Sequence, residues 1–172
     1  MSKQYKNMKN NASDEFQTPE VAIRCLLPYL NKSWHIWECA WGNGCLAHHL
    51  EAAGYLVFGK FGNPFYDFLK CDFRTYDCIV TNPPYSLKDE FLAHCYELGT
   101  PFALLLPLTA LEGKKRGALY REHGIQLIIP NKRITFITPT GKSEKTGSSA
   151  WYQTAWFTWK FNLPKDLMFV DL

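Results

Sequence analysis

Short apolar runs rich in branched and aromatic residues alternate along this chain with segments of helical periodicity, and that alternation leaves few folds open. Strand-like runs fall at 34–39, 55–59, 77–81, 102–106, 125–129, 134–138 and 152–161, and helical segments at 45–53, 87–98 and 111–123. An earlier helix is expected to open with Thr18 as cap and Pro19 at its first position, carrying Ile23, Leu26 and Leu27 on one stripe until Pro28. Residues 60–75 are irregular and aromatic. Strands joined through helices run parallel, and a parallel sheet needs cover on both faces. The expected fold is therefore α/β, a mostly parallel sheet with helices on both faces and an antiparallel edge hairpin from the adjacent last strands.

The chain has 172 residues, 47% hydrophobic and 16% aromatic, which predicts one domain over 14–172 behind a polar, lysine-bearing tail at 1–13. It contains no run of about eighteen apolar residues, and its first residues have no apolar signal region, so a cytoplasmic protein without a membrane partner is expected. Its six cysteines include no Cys-x-x-Cys pair, and the adjacent His48 and His49 point to different faces of a helix. Free thiols and no metal are the expectation. Oligomeric state has no signature in the sequence.

The net charge of +3 is unevenly spread. Between 113 and 145, eight basic residues (Lys114, Lys115, Arg116, Arg121, Lys132, Arg133, Lys142 and Lys145) face two acidic ones, Glu122 and Glu144. Such an excess attracts phosphate backbones without reading sequence, and equally suits a solvated helix face followed by a polar loop. Lys114, Lys115, Arg116, Lys132, Arg133 and Lys142 are the candidate nucleic-acid contacts. The loop at 139–149, rich in Gly, Ser, Thr and Lys, is the one linker-like segment and is too short to separate domains.

The chemistry concentrates at 77–85, where an apolar strand runs into Asn82-Pro83-Pro84-Tyr85. The amino nitrogen of adenine is a poor nucleophile because its lone pair is delocalised into the ring. Two acceptors aimed at its two hydrogens make that nitrogen more tetrahedral and hold it still. The Asn82 side-chain oxygen is one such acceptor, and the carbonyl of Pro83, in a stiff Pro-Pro pair, is the other. Tyr85 offers a stacking face. A base in a duplex must first leave its stack to reach such a corner. The competing reading is a tight turn after a strand, for which Asn-Pro is a common opening.

In open α/β sheets, ligands sit beyond the carboxyl ends of the strands where connections reverse. Two loops are placed for this: the Asn82 corner, and Glu38-Cys39-Ala40-Trp41-Gly42-Asn43-Gly44, whose glycines would let backbone approach a ligand ahead of a helix start. A Gly-x-Gly after a strand is just as often a plain turn.

Together these loops resemble the amino-group methyltransferases that use S-adenosylmethionine, and the likeness extends through most of the chain. The resemblance implies a Rossmann-like methyltransferase fold. It makes Asn82, Pro83, Pro84 and Tyr85 the catalytic tetrapeptide, and Glu38, Cys39, Ala40, Gly42 and Gly44 the cofactor loop. Phe16, Thr18 and Pro19, in Asp14-Glu15-Phe16-Gln17-Thr18-Pro19, correspond to a segment that packs on the methionine part of the cofactor. Asp67 and Phe68 match the motif that contacts its adenine, with Asp72-Phe73 a rival for the same role. The runs 101–111 and 133–139, with Ser149, Trp151 and Trp156, are similar to small phage and prophage DNA N6-adenine methyltransferases, which implies restriction-modification chemistry on DNA. One departure stands out. The family ends its second strand with an acid that holds the ribose hydroxyls, whereas 57–62 here read Val-Phe-Gly-Lys-Phe-Gly.

The expected reaction is direct methyl transfer to an adenine amino group in DNA. The same tetrapeptide also serves methylation of adenine in RNA and of a glutamine amide in protein, and the missing acid leaves room for an inactive binding module.

Overall fold

The structure, a computed structural model, describes residues 16–59, 68–70, 75–137 and 153–172. The expectations placed on Asp67, Asp72 and Lys142, on the tail at 1–13 and on the loop at 139–149 lie outside these residues.

Seven strands form one sheet: β1 (His35–Trp37), β2 (Leu56–Phe58), β3 (Cys78–Thr81), β4 (Phe102–Pro107), β5 (Gln126–Pro130), β6 (Thr154–Trp159) and β7 (Leu167–Val170), in the order β2-β1-β3-β4-β6-β5-β7. Neighbours pair in parallel except β6, which runs antiparallel to both β4 and β5. The strands β3 and β4 are buried at every position, which is why their sequences are continuous apolar runs rather than alternating ones. From β2 at the edge the chain crosses back over β1 to place β3 on its other side. This reversal makes the sheet doubly wound and Rossmann-like, with its switch point between β1 and β3.

Helices cover both faces. On one, α1 (Glu20–Arg24) and α2 (Cys45–Ala52) bring Ala22, Ile23, Leu46 and Leu50 against Ile36, Val80, Leu105 and Trp156. The indole Nε1 of Trp156 donates to the Ala22 carbonyl at 2.7 Å, so the largest side chain in this core arrives with its one polar group satisfied. On the other face, α3 (Lys88–Leu98) and α4 (Lys114–His123) set Phe91, Leu92, Leu119 and Tyr120 against Trp37, Ile79, Leu104 and Phe157. Each fully buried large side chain contributes about 1.5–3 kcal/mol.

Four elements differ from expectation. Pro19 is the N-cap of α1 rather than its first residue, no side chain caps that helix, and it gives way to a 3₁₀ turn at Leu27–Tyr29. The helix expected from 111 starts at Lys114, because Gly113 at φ +115° breaks it from a 3₁₀ turn at Leu108–Leu111. Residues 134–137 do not form the expected strand: among the described residues they pair through the bridge between Gln17 and Ile137 alone. The strand β7 itself has no counterpart in the sequence reading.

Candidate active site

The carboxyl ends of β1 and β3 are joined by one hydrogen bond. Thr81, the last residue of β3, donates its hydroxyl to Glu38 Oε1 at 2.5 Å, and the Ala40 N–H donates to the same oxygen at 2.9 Å. The Glu38 N–H in turn donates to the Phe58 carbonyl at 2.8 Å, continuing the β1–β2 ladder one residue past β1. Glu38 is 1% exposed, and burial pushes its carboxyl up to about 8 despite the two hydrogen bonds. No cation among the described residues pairs with it. Burial, helped by Glu38 and Cys95, raises the Cys39 thiol well above its ordinary range, which favours the protonated form.

Asn82 follows Thr81 directly, so the same bond that fixes the loop fixes the corner. Asn82 Oδ1 is buried and accepts no hydrogen bond among the described residues. A buried acceptor without a donor costs about 1–3 kcal/mol, which a ligand bearing an N–H would recover. Pro83 is buried behind it, and Pro84 opens a 3₁₀ turn at Tyr85–Leu87. The Pro84 carbonyl accepts from the Leu87 N–H at 2.9 Å and the Tyr85 carbonyl from Lys88 Nζ at 3.3 Å. Neither bond uses the Pro83 carbonyl. The Tyr85 ring is half-buried against the α3 face of the sheet.

The glycines of the β1 loop have a use that the sequence did not show. A Cβ on Gly42 would lie 3.0 Å from Gln17 Nε2, and one on Gly44 would lie 2.9 Å from Trp41 Nε1. The loop therefore admits its own side chains closely. Gln17 Oε1 accepts from the Asn43 N–H at 3.1 Å, while the Gln17 backbone exchanges two hydrogen bonds with Ile137, at 2.8 and 3.0 Å. Through Gln17 the segment before α1 is pinned onto the glycine loop. Phe16 packs on the α1 face, Thr18 is buried, and Pro19 starts the helix. Gly59, at the position where an acid was missed, has φ +139°, and a Cβ there would meet the Glu38 carbonyl oxygen at 2.1 Å. Position 59 is closed to any side chain because β2 ends against Glu38.

Other expected site residues take different places. Phe68 is 3% exposed, stacked on Phe91 at 4.6 Å and edge-on to Trp37 and His94, so its ring serves the core. The Arg116 guanidinium turns inward, donating to the Ala110 carbonyl at 2.8 Å, to the Glu112 carbonyl and to Asp89. It ties α4 to α3 and is spent on structure. Lys114 and Lys115 follow the carboxyl end of β4, and Lys132 and Arg133 the carboxyl end of β5, all four exposed on the same rim of the sheet as Asn82. The residues missed from sequence are Gln17, Trp41, Gly59 and Thr81. Only Thr81, a hydroxyl ending an apolar strand beside the corner, carried a readable signal.

Among the described residues the five cysteines are free, no three His, Cys, Asp or Glu side chains are grouped as metal ligands would be, and no helix is long and apolar enough to cross a membrane.

No protein-family model matches the chain, and no curated protein matches it in sequence. Among solved structures it is similar to a protein described as a modification subunit of a type I restriction enzyme, from Vibrio vulnificus YJ016, at 12% identity and a TM-score of 0.47, covering 90% of this chain and 47% of that one. It is also similar to a protein described as an O-methyltransferase, from Agrobacterium tumefaciens, at 12% identity and a TM-score of 0.44, covering 86% of this chain and 84% of that one. This chain thus spans about half the length of the first. At such values neither neighbour bears on what this chain binds or does.

Proposed function

We propose that this protein transfers the methyl group of S-adenosylmethionine to the exocyclic amino nitrogen of adenine in DNA. The observation that carries the reading is the Asn82 side-chain oxygen, buried without a donor among the described residues and fixed through Thr81 to the glycine loop that starts at Glu38.

Asn82 Oδ1 and the Pro83 carbonyl take the two amino hydrogens and turn the nitrogen lone pair away from ring conjugation, while Tyr85 stacks on the base. These groups are set before the substrate arrives, and catalysis comes from proximity and from acceptors matched to the charge that develops on nitrogen. The chain also fits the cofactor. Glu38 is a buried carboxyl with no described cation beside it, a position that a cationic ligand would stabilise, and the Gly42–Asn43 backbone next to it is exposed. Glu38, Ala40, Gly42 and Gly44 would hold that ligand, with Phe16, Thr18 and Pro19 over it. When bound, S-adenosylmethionine supplies an electrophilic methyl group. The surplus proton of the methylated amine leaves to water, and no covalent bond to the protein forms. Lys114, Lys115, Lys132 and Arg133, on the catalytic rim, favour a phosphate-bearing substrate over a protein amide.

The test is mass spectrometry of nucleosides from unmethylated DNA, with RNA in parallel, after incubation with isotopically methyl-labelled S-adenosylmethionine. Labelled N6-methyldeoxyadenosine establishes the reaction and the substrate. Label in RNA alone moves the substrate to RNA. If neither carries label while the cofactor binds, adenine is not the target and protein amides become the substrate to examine.

A further inference from the structure

Thr154 opens β6 at the rim where β4 ends, paired with Pro107. It is 2% exposed, and its Oγ1 has no hydrogen-bond partner among the described residues, the same condition as Asn82 Oδ1. The contrast within the strand is informative. Thr158 gives its hydroxyl to the Gln126 carbonyl at 3.1 Å and so repays its burial, whereas Thr154 finds no partner for its own among the described residues. Valine has the same shape and β-propensity without that cost.

Alternation along the strand puts Thr154 on the face of Trp156, which packs in one cluster with Val80, two residues before Asn82. Phe16, Ile134 and Phe136 join the same cluster. Only β4 separates β3 from β6, and Asn82 follows the Thr81–Leu104 pair while Thr154 faces Pro107, two residues further along, so the two backbone positions lie about 12 Å apart and their side chains close part of that gap. A planar ring lying over the end of β4, bonded at about 3 Å on either side, reaches both strands.

Resting on the methyl-transfer reading, we propose that Thr154 is a specificity residue of this site, its hydroxyl bonding a ring nitrogen of the base whose amino group Asn82 holds. A hydroxyl both donates and accepts, so it suits a heteroaromatic edge. A glutamine amide could satisfy Asn82 but would leave Thr154 unpaired, so the residue selects a nucleobase over a protein side chain.

The experiment compares wild type, Thr154→Val and Thr154→Ser for thermal unfolding, for S-adenosylmethionine binding by calorimetry, and for methylation of an adenine-containing oligonucleotide and its ring-deaza analogues. Thr154→Val is expected to raise the unfolding midpoint by about 2–4 °C, because a buried unpaired hydroxyl is gone. The same variant should raise KM for the oligonucleotide about tenfold or more with cofactor affinity unchanged, and should no longer discriminate against one of the deaza analogues. Thr154→Ser should restore both KM and discrimination. A lowered midpoint in Thr154→Val would reveal a structural partner and overturn the assignment, as would a wild-type KM. If wild type binds cofactor but methylates no nucleic acid, adenine is not the target and this assignment fails with that reading. If wild type is active and Thr154→Val matches it, the assignment alone fails.

Discussion

Asn82 and Glu38 are both buried polar groups, and they differ in what the fold has provided. Asn82 Oδ1 has no donor among the described residues, whereas Glu38 Oε1 has two, from Thr81 and Ala40. Replacing Asn82 by Ala should lower kcat about 10²-fold or more and leave cofactor binding intact, as removal of one fixed acceptor at a reacting centre does. Near-normal turnover in single-turnover assays would sink the mechanism. For Glu38 the consequence is a pH dependence. Its folded value of about 8 stands above the ordinary value of about 4 for an unfolded chain, so the folded state holds the proton more tightly. The associated stability is complete below pH about 4 and is lost as pH rises through about 8. Glu38→Gln, which cannot ionise, should flatten the fall of stability across that window in urea titrations at several pH values. An unchanged pH slope would mean that Glu38 is ionised throughout.

At the scale of elements, the clamp between α3 and α4 runs through Arg116, whose side chain is 12% exposed and bonded to Asp89 and to two carbonyls of the preceding turn. Arg116→Ala should destabilise the protein by about 1–3 kcal/mol and leave the salt dependence of nucleic-acid binding as it was. A smaller salt slope would return Arg116 to the phosphate contacts. The sequence could not separate Arg116 from Lys114 and Lys115, because charge runs look alike until the backbone turns one of them inward. The strands β3 and β4 were legible for the opposite reason, since burial on both faces leaves continuous apolar runs. Where tertiary pairing decides, the text of the chain is silent. Residues 134–137 have strand composition but, among the described residues, pair through the Gln17–Ile137 bridge alone, and β7, although all four of its residues are apolar, is a short half-exposed run with no polar alternation to mark it as a strand. Gln17 looked like any polar residue in a loop, and its clamp on Asn43 exists only because 17 and 137 meet.

Across the whole molecule, topology gathers onto one rim what the sequence scatters from 16 to 154. The glycine loop after β1, the corner after β3 and the basic connections after β4 and β5 all leave the sheet at its carboxyl ends. Replacing Lys114, Lys115 and Lys132 together by Ala should weaken binding to unrelated DNA sequences alike and reduce the slope of log affinity against log salt by about 2–3, as loss of three phosphate contacts requires. An unchanged slope would place the DNA elsewhere. The antiparallel strand β6 has a consequence for how such a protein emerges during translation. Its position between β4 and β5 means that β5 is synthesised more than twenty residues before the partner through which it joins the sheet. On the ribosome, a chain halted short of β6 carries Glu38, Thr81 and Asn82 but neither Thr154 nor a seated β5. Long-range pairing of this kind forms late. The newborn chain would thus form the Asn82 corner well before it acquires the residue proposed to select a nucleobase over a protein side chain.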